Sequence, residues 1–173
     1  MKKAFTLIEL LVTSTIIMIM LGVTITYSQK GENINKVNRA MERLAFDMRR
    51  ISNLSMQTRQ TGERKICGWG IYFDSNQNDR YIIFSDFCDP NTNSGDKMYS
   101  ENEIQETVKL NQGIIVKSTD ISFVMYLPPE PRVELYDVYG NQVKEGKVVL
   151  ASKVGNFSKT LTINQLGRVD TDN

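Results

Sequence analysis

The chain opens with a long apolar run and then changes its period twice. Residues 5–27 carry a single charge, Glu9. A hydrocarbon core of ~30 Å takes about 20 helical residues, so the run is long enough to span a bilayer. Lys2 and Lys3 ahead of it put the N-terminus on the cytoplasmic side by the positive-inside rule. A secretory signal peptide would have a shorter apolar region and a small-x-small cleavage site, and the sequence runs through Tyr27-Ser28-Gln29-Lys30 without one. From Ile34 the apolar residues fall at Ile34, Val37, Met41, Leu44, Met48 and Ile51, in alternating steps of three and four. That is one face of an amphipathic helix. Leu54 adds a step, and the spacing predicts a helix to about Thr58 with Gly62 as its stop. Residues 5–58 as one helix would be about 81 Å long, with a bend expected near Gly22 or Gly31. About three heptads are too few to favour a free coiled coil, so the stripe reads as the packing face for a C-terminal sheet.

Beyond residue 63 the pattern becomes β-like. Residues 67–73 and 80–85 are β-rich and residues 74–79 carry turn chemistry, which together signal a hairpin. A turn centred on Gln77-Asn78 opposes Cys67 to Cys88, at a separation a disulfide tolerates; the alternative is two unpaired buried thiols. Asp74, Asn76 and Asn78 place oxygens at alternate positions, as calcium loops do. An EF-hand loop would need Gly at Asp79 and Glu at Ser85, so a solvated turn is the favoured reading. A polar loop at 89–96 and a strand or helix near 104–110 come next, then strands at 113–117, 121–126, 133–136, 147–151 and 159–164. The run Pro128-Pro129-Glu130-Pro131 is expected to break one strand pair, and Gly140-Asn141 and Gly146 to supply turns. The fold class is α+β: a long membrane-spanning helix continuing into an amphipathic stem, packed against a C-terminal antiparallel β-sheet domain. The divisions fall at 1–4 (leader), 5–27 (span), 28–62 (stem) and 63–173 (β-rich domain).

Charge sharpens this division. The 173 residues carry 21 Lys and Arg against 20 Asp and Glu. Residues 30–65 hold nine basic against four acidic residues, and residues 66–173 hold ten against fifteen. The stem cations Arg39, Arg43, Arg49, Arg50, Arg59, Arg64 and Lys65 could meet DNA phosphate, but pairing with the acidic domain of the same or a neighbouring subunit is favoured. No aromatic residues interleave with them to make a base-stacking platform. There is no histidine, which excludes Ser-His-Asp and Cys-His chemistry, and two cysteines are too few for a thiolate zinc site. No phosphate loop or nucleophile elbow is present, and Glu101, Glu103 and Glu106 read as a solvated patch. An enzyme is not expected, nor a cofactor.

The residues Lys3-Ala4-Phe5-Thr6-Leu7-Ile8-Glu9-Leu10-Leu11 resemble the processing signal of type IV prepilins and type II secretion pseudopilins. The resemblance implies that a prepilin peptidase cuts the Ala4–Phe5 bond and methylates the new Phe5 amine. It implies that Glu9, then the fifth residue, is neutralised by the Phe5 amine of a neighbouring subunit, which sets the register of a filament. Ala4 stands where the family has glycine. The long helix, the Gly68-Trp69-Gly70-Ile71-Tyr72-Phe73 strand and the stretch Leu161-Thr162-Ile163-Asn164 to Leu166-Gly167-Arg168-Val169 are similar, more loosely, to the GspH/FimT type of minor pseudopilin. Expected partners are prepilin peptidase, other pilin or pseudopilin subunits, an inner-membrane assembly platform and membrane lipid. The expected location is the cytoplasmic membrane, with the β-domain outside the cytoplasm. Nucleic acid is not an expected partner, because the tail Arg168-Val169-Asp170-Thr171-Asp172-Asn173 is acidic where DNA-uptake relatives are basic. Two rival readings remain: a DNA-binding minor pilin, and a membrane-tethered domain that never assembles.

Overall fold

The computed structural model describes residues 6–57, 60–61, 64–128 and 132–172, with the side chains of all of these except 24–30 and 60–61. Helix α1 (Leu7–Met56) runs for 50 residues without a break. It passes through both Gly22 and Gly31 and ends two residues before Thr58. Gln57 caps it, with its amide bonded to the Leu54 carbonyl at 3.1 Å. The expected stop at Gly62 lies outside the described residues.

Among the described residues, eleven strands come after the helix: β1 (Gln60–Thr61), β2 (Arg64–Tyr72), β3 (Arg80–Phe87), β4 (Ile104–Lys109), β5 (Ile114–Thr119), β6 (Ile121–Leu127), β7 (Arg132–Asp137), β8 (Gln142–Val143), β9 (Glu145–Ser152), β10 (Ser158–Asn164) and β11 (Val169–Asp172). They form two antiparallel sheets. The first has the order β4-β3-β2-β6-β7-β8 with β1 added to β2, and the second has the order β11-β10-β9-β5. Three expectations are corrected here. Strands β6 and β7 pair up to Leu127 and Arg132, on either side of the proline run, so the strand pair that run was expected to break is formed. Gly146 lies inside β9, where Ile121 occupies the space its Cβ would need; Gly140, at φ +82°, does serve a turn. The acidic C-terminal stretch is not a tail, since residues 169–172 add β11 to the edge of the second sheet.

The β2–β3 register is also one residue away from the expected one. Tyr72 pairs with Ile82 and Gly70 with Phe84, which would leave Cys67 opposite Phe87. A bulge between Ile66 and Gly68 absorbs the difference. With Cys67 as the extra residue, the Cys88 amide reaches the Lys65 carbonyl at 2.9 Å, and Cys67 and Cys88 are disulfide-bonded with Cα atoms 5.1 Å apart.

The stem stripe is the centre of the core. Val37, Met41, Leu44, Met48 and Ile51 are buried, with Ala40 and Ala45 beside them. They pack against Ile71, Tyr81, Ile83 and Val124 of the first sheet and Val148, Leu150, Leu161 and Ile163 of the second. Ile34, the first residue of the stripe, lies beyond this contact and is exposed. One polar residue shares the seam. Asp47, 4% exposed, accepts a hydrogen bond from the Tyr81 hydroxyl at 2.6 Å. Arg43 and Arg50 approach the same carboxylate at 3.9 and 3.6 Å, and Arg50 continues to Glu106 at 3.0 Å. Burial first, and then the Asp47 carboxylate, push the Tyr81 hydroxyl well above its ordinary pKa, so it remains a donor.

The far side of the first sheet has its own apolar cluster of Phe84, Phe123 and Met125, with Tyr72, Tyr99, Leu127 and Tyr136 packed around it. Gly68 and Gly70 make room for it: a Cβ at Gly70 would collide with the Phe84 ring, and one at Gly68 with Met125 and Leu127. The loop after Cys88 covers this face, and Tyr99 stacks on Tyr72 with ring centroids 4.0 Å apart.

Removing the Tyr81 hydroxyl leaves a buried carboxylate short of one partner. Tyr81→Phe is therefore expected to lower unfolding free energy by about 1–3 kcal/mol, read from denaturant midpoints. An unchanged midpoint would show that Arg43 and Arg50 satisfy Asp47 without it.

Candidate functional site

The N-terminal third of α1 is covered by nothing else among the described residues. Leu7, Ile8, Leu10, Leu11, Val12, Ile16 and the apolar residues from Ile17 to Val23 are all exposed, Leu7 by 84% and Met18 by 75%. A helix that is apolar on every side needs surroundings that cover all of it, either lipid or other helices. Its polar groups fit such surroundings. Thr13, Ser14 and Thr15 return their hydroxyls to the carbonyls of Leu10, Leu11 and Val12 at 3.0, 2.9 and 2.8 Å, so they present no unmet donor. Thr6 caps the helix, its hydroxyl accepting the Glu9 amide at 3.4 Å. Glu9 thus sits in the first turn, where the helix dipole favours a negative charge, and its exposed carboxylate is the single charge among residues 6–23. Sequence reasoning passed over Thr6, although Thr-x-x-Glu ahead of an apolar run is a capping-box signal.

Residues 1–25 match the prokaryotic N-terminal methylation motif. The match supports a type IV prepilin-like chain, processed by prepilin peptidase and assembled with other pilin-type subunits. No curated protein and no solved structure matches the chain. Ala4 and Phe5, the expected cleavage and methylation residues, lie outside the described residues. Among the described residues no helix is long and apolar enough to cross a membrane; the expected span, residues 5–27, extends at both ends past the described side chains of the apolar run, which stop at Val23.

The other sequence candidates fall elsewhere. Asp74 spends Oδ1 on the Asn76 amide at 2.8 Å, and the Asn78 carbonyl accepts the Val116 amide at 2.8 Å. The residues weighed as calcium ligands thus form a side-chain-stabilised turn braced on β5. Of the stem cations, Arg43 and Arg50 are taken up by Asp47 and Glu106, Arg64 lies over the Phe87 ring, and Lys65 bonds Asn93. Arg59 is outside the described residues. The glutamates of the expected solvated patch divide: Glu103 is buried and accepts from the Phe87 amide and the Ser100 hydroxyl at 3.0 and 2.8 Å, and Glu106 pairs with Arg50.

The loop that Cys88 begins is held by carboxylates. Asp86, fully buried, accepts the Asp96 and Lys97 amides at 3.2 Å each, and Gly95 lies so close to its carboxylate that no Cβ fits. Lys97 continues to Glu134 at 3.2 Å, and Glu134 also takes Arg132 and the Tyr136 hydroxyl. Carboxylate oxygens of Asp86, Asp96 and Glu103 lie within 4.8 Å of one another. Burial pushes Asp86 up to about 6, with Glu103 and Asp96 adding to the rise against the pull of the Lys97 amide. Burial would also raise Glu134, but the Tyr136 hydroxyl, Lys97 and Arg132 outweigh it and hold that group below the ordinary carboxylate range.

The two groups have opposite linkage signs. A folded Asp86 pKa of about 6 against 3.8 gives a contribution complete below 3.8 and lost as pH rises through 6. The depressed Glu134 contributes above its ordinary 4.5 and is lost as pH falls through its folded value. The thermal midpoint should therefore rise between pH 7 and 5 and fall again below about 4. A midpoint flat or falling from pH 7 to 5 would contradict the Asp86 assignment.

Proposed function

We propose that the chain is a non-enzymatic structural subunit of a pilus-like filament, most closely a minor pseudopilin of the GspH/FimT type in a type II secretion pseudopilus. The observation that carries this reading is the exposed, all-round apolar helix with one carboxylate, Glu9, in its first turn, beneath a matching methylation motif. The helix first anchors the subunit in the cytoplasmic membrane with the β-domain outside the cytoplasm, and then becomes filament core when neighbouring helices replace lipid around it. Cleavage after Ala4 frees the Phe5 amine. In an apolar surround a carboxylate and an amine are each costly alone and favourable together, so subunits seat where Glu9 of one meets the amine of the next. The partners on this reading are prepilin peptidase, companion subunits and an inner-membrane assembly platform.

Intact mass and N-terminal sequencing of chain extracted from a host with its own prepilin peptidase should give a mature protein starting at methylated Phe5. Retention of Met-Lys-Lys-Ala would favour a tethered domain that never assembles. Glu9→Ala should leave membrane insertion unchanged while removing the chain from sheared filament fractions; incorporation at wild-type levels would rule out the carboxylate as the register group.

A further inference from the structure

The turn between β9 and β10 lies at the end of the β-domain nearest the apolar half of α1. Gly167 and Val169 line a cleft with Met48, Ser52 and Asn53, late in the helix, whereas Lys159 and Thr171 line one that reaches back to Asn38 and Glu42. Strand β11 thus runs back along α1 toward its N-terminus, and β10, antiparallel to it, runs away. Residues 153–157, just ahead of β10, therefore lie before the level of Asn38. Asn38 is eleven residues past Tyr27, the end of the expected span, or about 17 Å along an upright helix. The step from Lys159 back to the turn takes up about 7–10 Å of this. The turn is then about 7–10 Å above the apolar run, and a headgroup layer is about 5–7 Å deep, so its side chains reach the layer.

The chemistry of this end differs from that of the rest of the domain. Val154, at the tip, is 68% exposed, and it is held there: the Ser152 hydroxyl donates to its carbonyl at 2.8 Å and accepts from its amide at 3.3 Å. The Gly113 carbonyl accepts the Lys153 amide at 2.7 Å, which joins the β4–β5 loop to the turn. Residues 66–173 are acidic as a whole, yet 107–119 and 146–169, the two stretches that meet here, contain five lysines, one arginine and no Asp or Glu. Lys109 and Lys153 are exposed. The neighbouring 74–79 turn brings two carboxylates, of which Asp79 is paired with Arg80 at 2.8 Å and Asp74 accepts its own loop amide. Asp172 lies on β11, at the opposite edge of the second sheet from β5.

We infer that this end of the β-domain docks on the anionic headgroup surface of the bilayer that anchors α1, with Val154 among the headgroups and Lys109 and Lys153 on lipid phosphates. An apolar tip flanked by cations is the pattern of interfacial membrane contact. So small a contact would be weak for a free domain, but the helix tethers it to the surface and makes the encounter intramolecular. The inference rests on the membrane-anchoring part of the proposed function and adds a lipid contact by the domain itself.

The test places the full chain in phosphatidylcholine vesicles with and without phosphatidylglycerol. Both native cysteines are in the disulfide, so nitroxide labels go singly onto Val154→Cys, Ile16→Cys in the apolar helix, and Leu166→Cys, exposed in the turn at the far end of β10. Collision with oxygen and with a water-soluble nickel chelate reports depth. The Ile16→Cys label should be lipid-buried and the Leu166→Cys label aqueous in both vesicles. The Val154→Cys label should be shielded from the chelate when phosphatidylglycerol is present, and Lys109→Gln with Lys153→Gln should abolish that shielding while leaving the Ile16→Cys depth unchanged. A buried Ile16→Cys label with Val154→Cys as aqueous as Leu166→Cys would overturn the inference and leave anchoring intact. An aqueous Ile16→Cys label would overturn both. Shielding that ignores phosphatidylglycerol, or that appears only on adding duplex DNA outside the vesicles, would overturn the assignment to anionic lipid.

Discussion

Burial of one stripe of a single helix organises the molecule. Val37, Met41, Leu44, Met48 and Ile51 are the side chains onto which both sheets close, so neither sheet has a complete core without α1. A stripe of this kind fixes which face of the helix is covered but gives little resistance to sliding along the axis, because apolar contact is not directional. Asp47 supplies the missing specificity. Its carboxylate and the Tyr81 hydroxyl meet at one axial position only, and the approach of Arg43 and Arg50 keeps the buried charge from standing alone.

The same helix serves two environments, and its sequence changes character where the chain stops covering it. From Leu7 to Val23 every large apolar side chain is exposed; from Val37 the apolar residues on one face are buried by the chain itself. The first half is therefore incomplete as an isolated molecule, with an apolar surface that only lipid or other subunits can cover. The β-domain, by contrast, is closed on both sides of its first sheet, by the stem on one and the loop after Cys88 on the other.

The elements legible in the sequence were those set by local pattern. The three-four stripe located the buried helix face, and the paired β-rich runs located the β2–β3 hairpin. The register of that hairpin was not legible, because the bulge at Cys67 depends on the paired strand and the disulfide together. The arrangement as two sheets was also hidden: strand β4 joins the first sheet and β5 the second although only four residues separate them, a choice made by tertiary packing. Residues 169–172 gave no β signal, with acidic residues at alternate positions, and became a strand because the turn after Asn164 returns the chain alongside β10. At the candidate site, Glu9 was conspicuous as a lone charge in an apolar run. The placement of Val154 was not legible, since nothing in a sequence shows which turn the fold will bring nearest the apolar half of the helix.

The absence of any break in α1 between its exposed and its covered halves has a mechanical side. Tension applied to the β-domain enters the helix where Val37 to Ile51 are gripped and passes toward Leu7 through successive turns of one backbone ladder, with no hinge between. An axial pull must then either stretch turns in series or shear the whole stripe past both sheets at once, and the Asp47–Tyr81 contact lies across that shear plane.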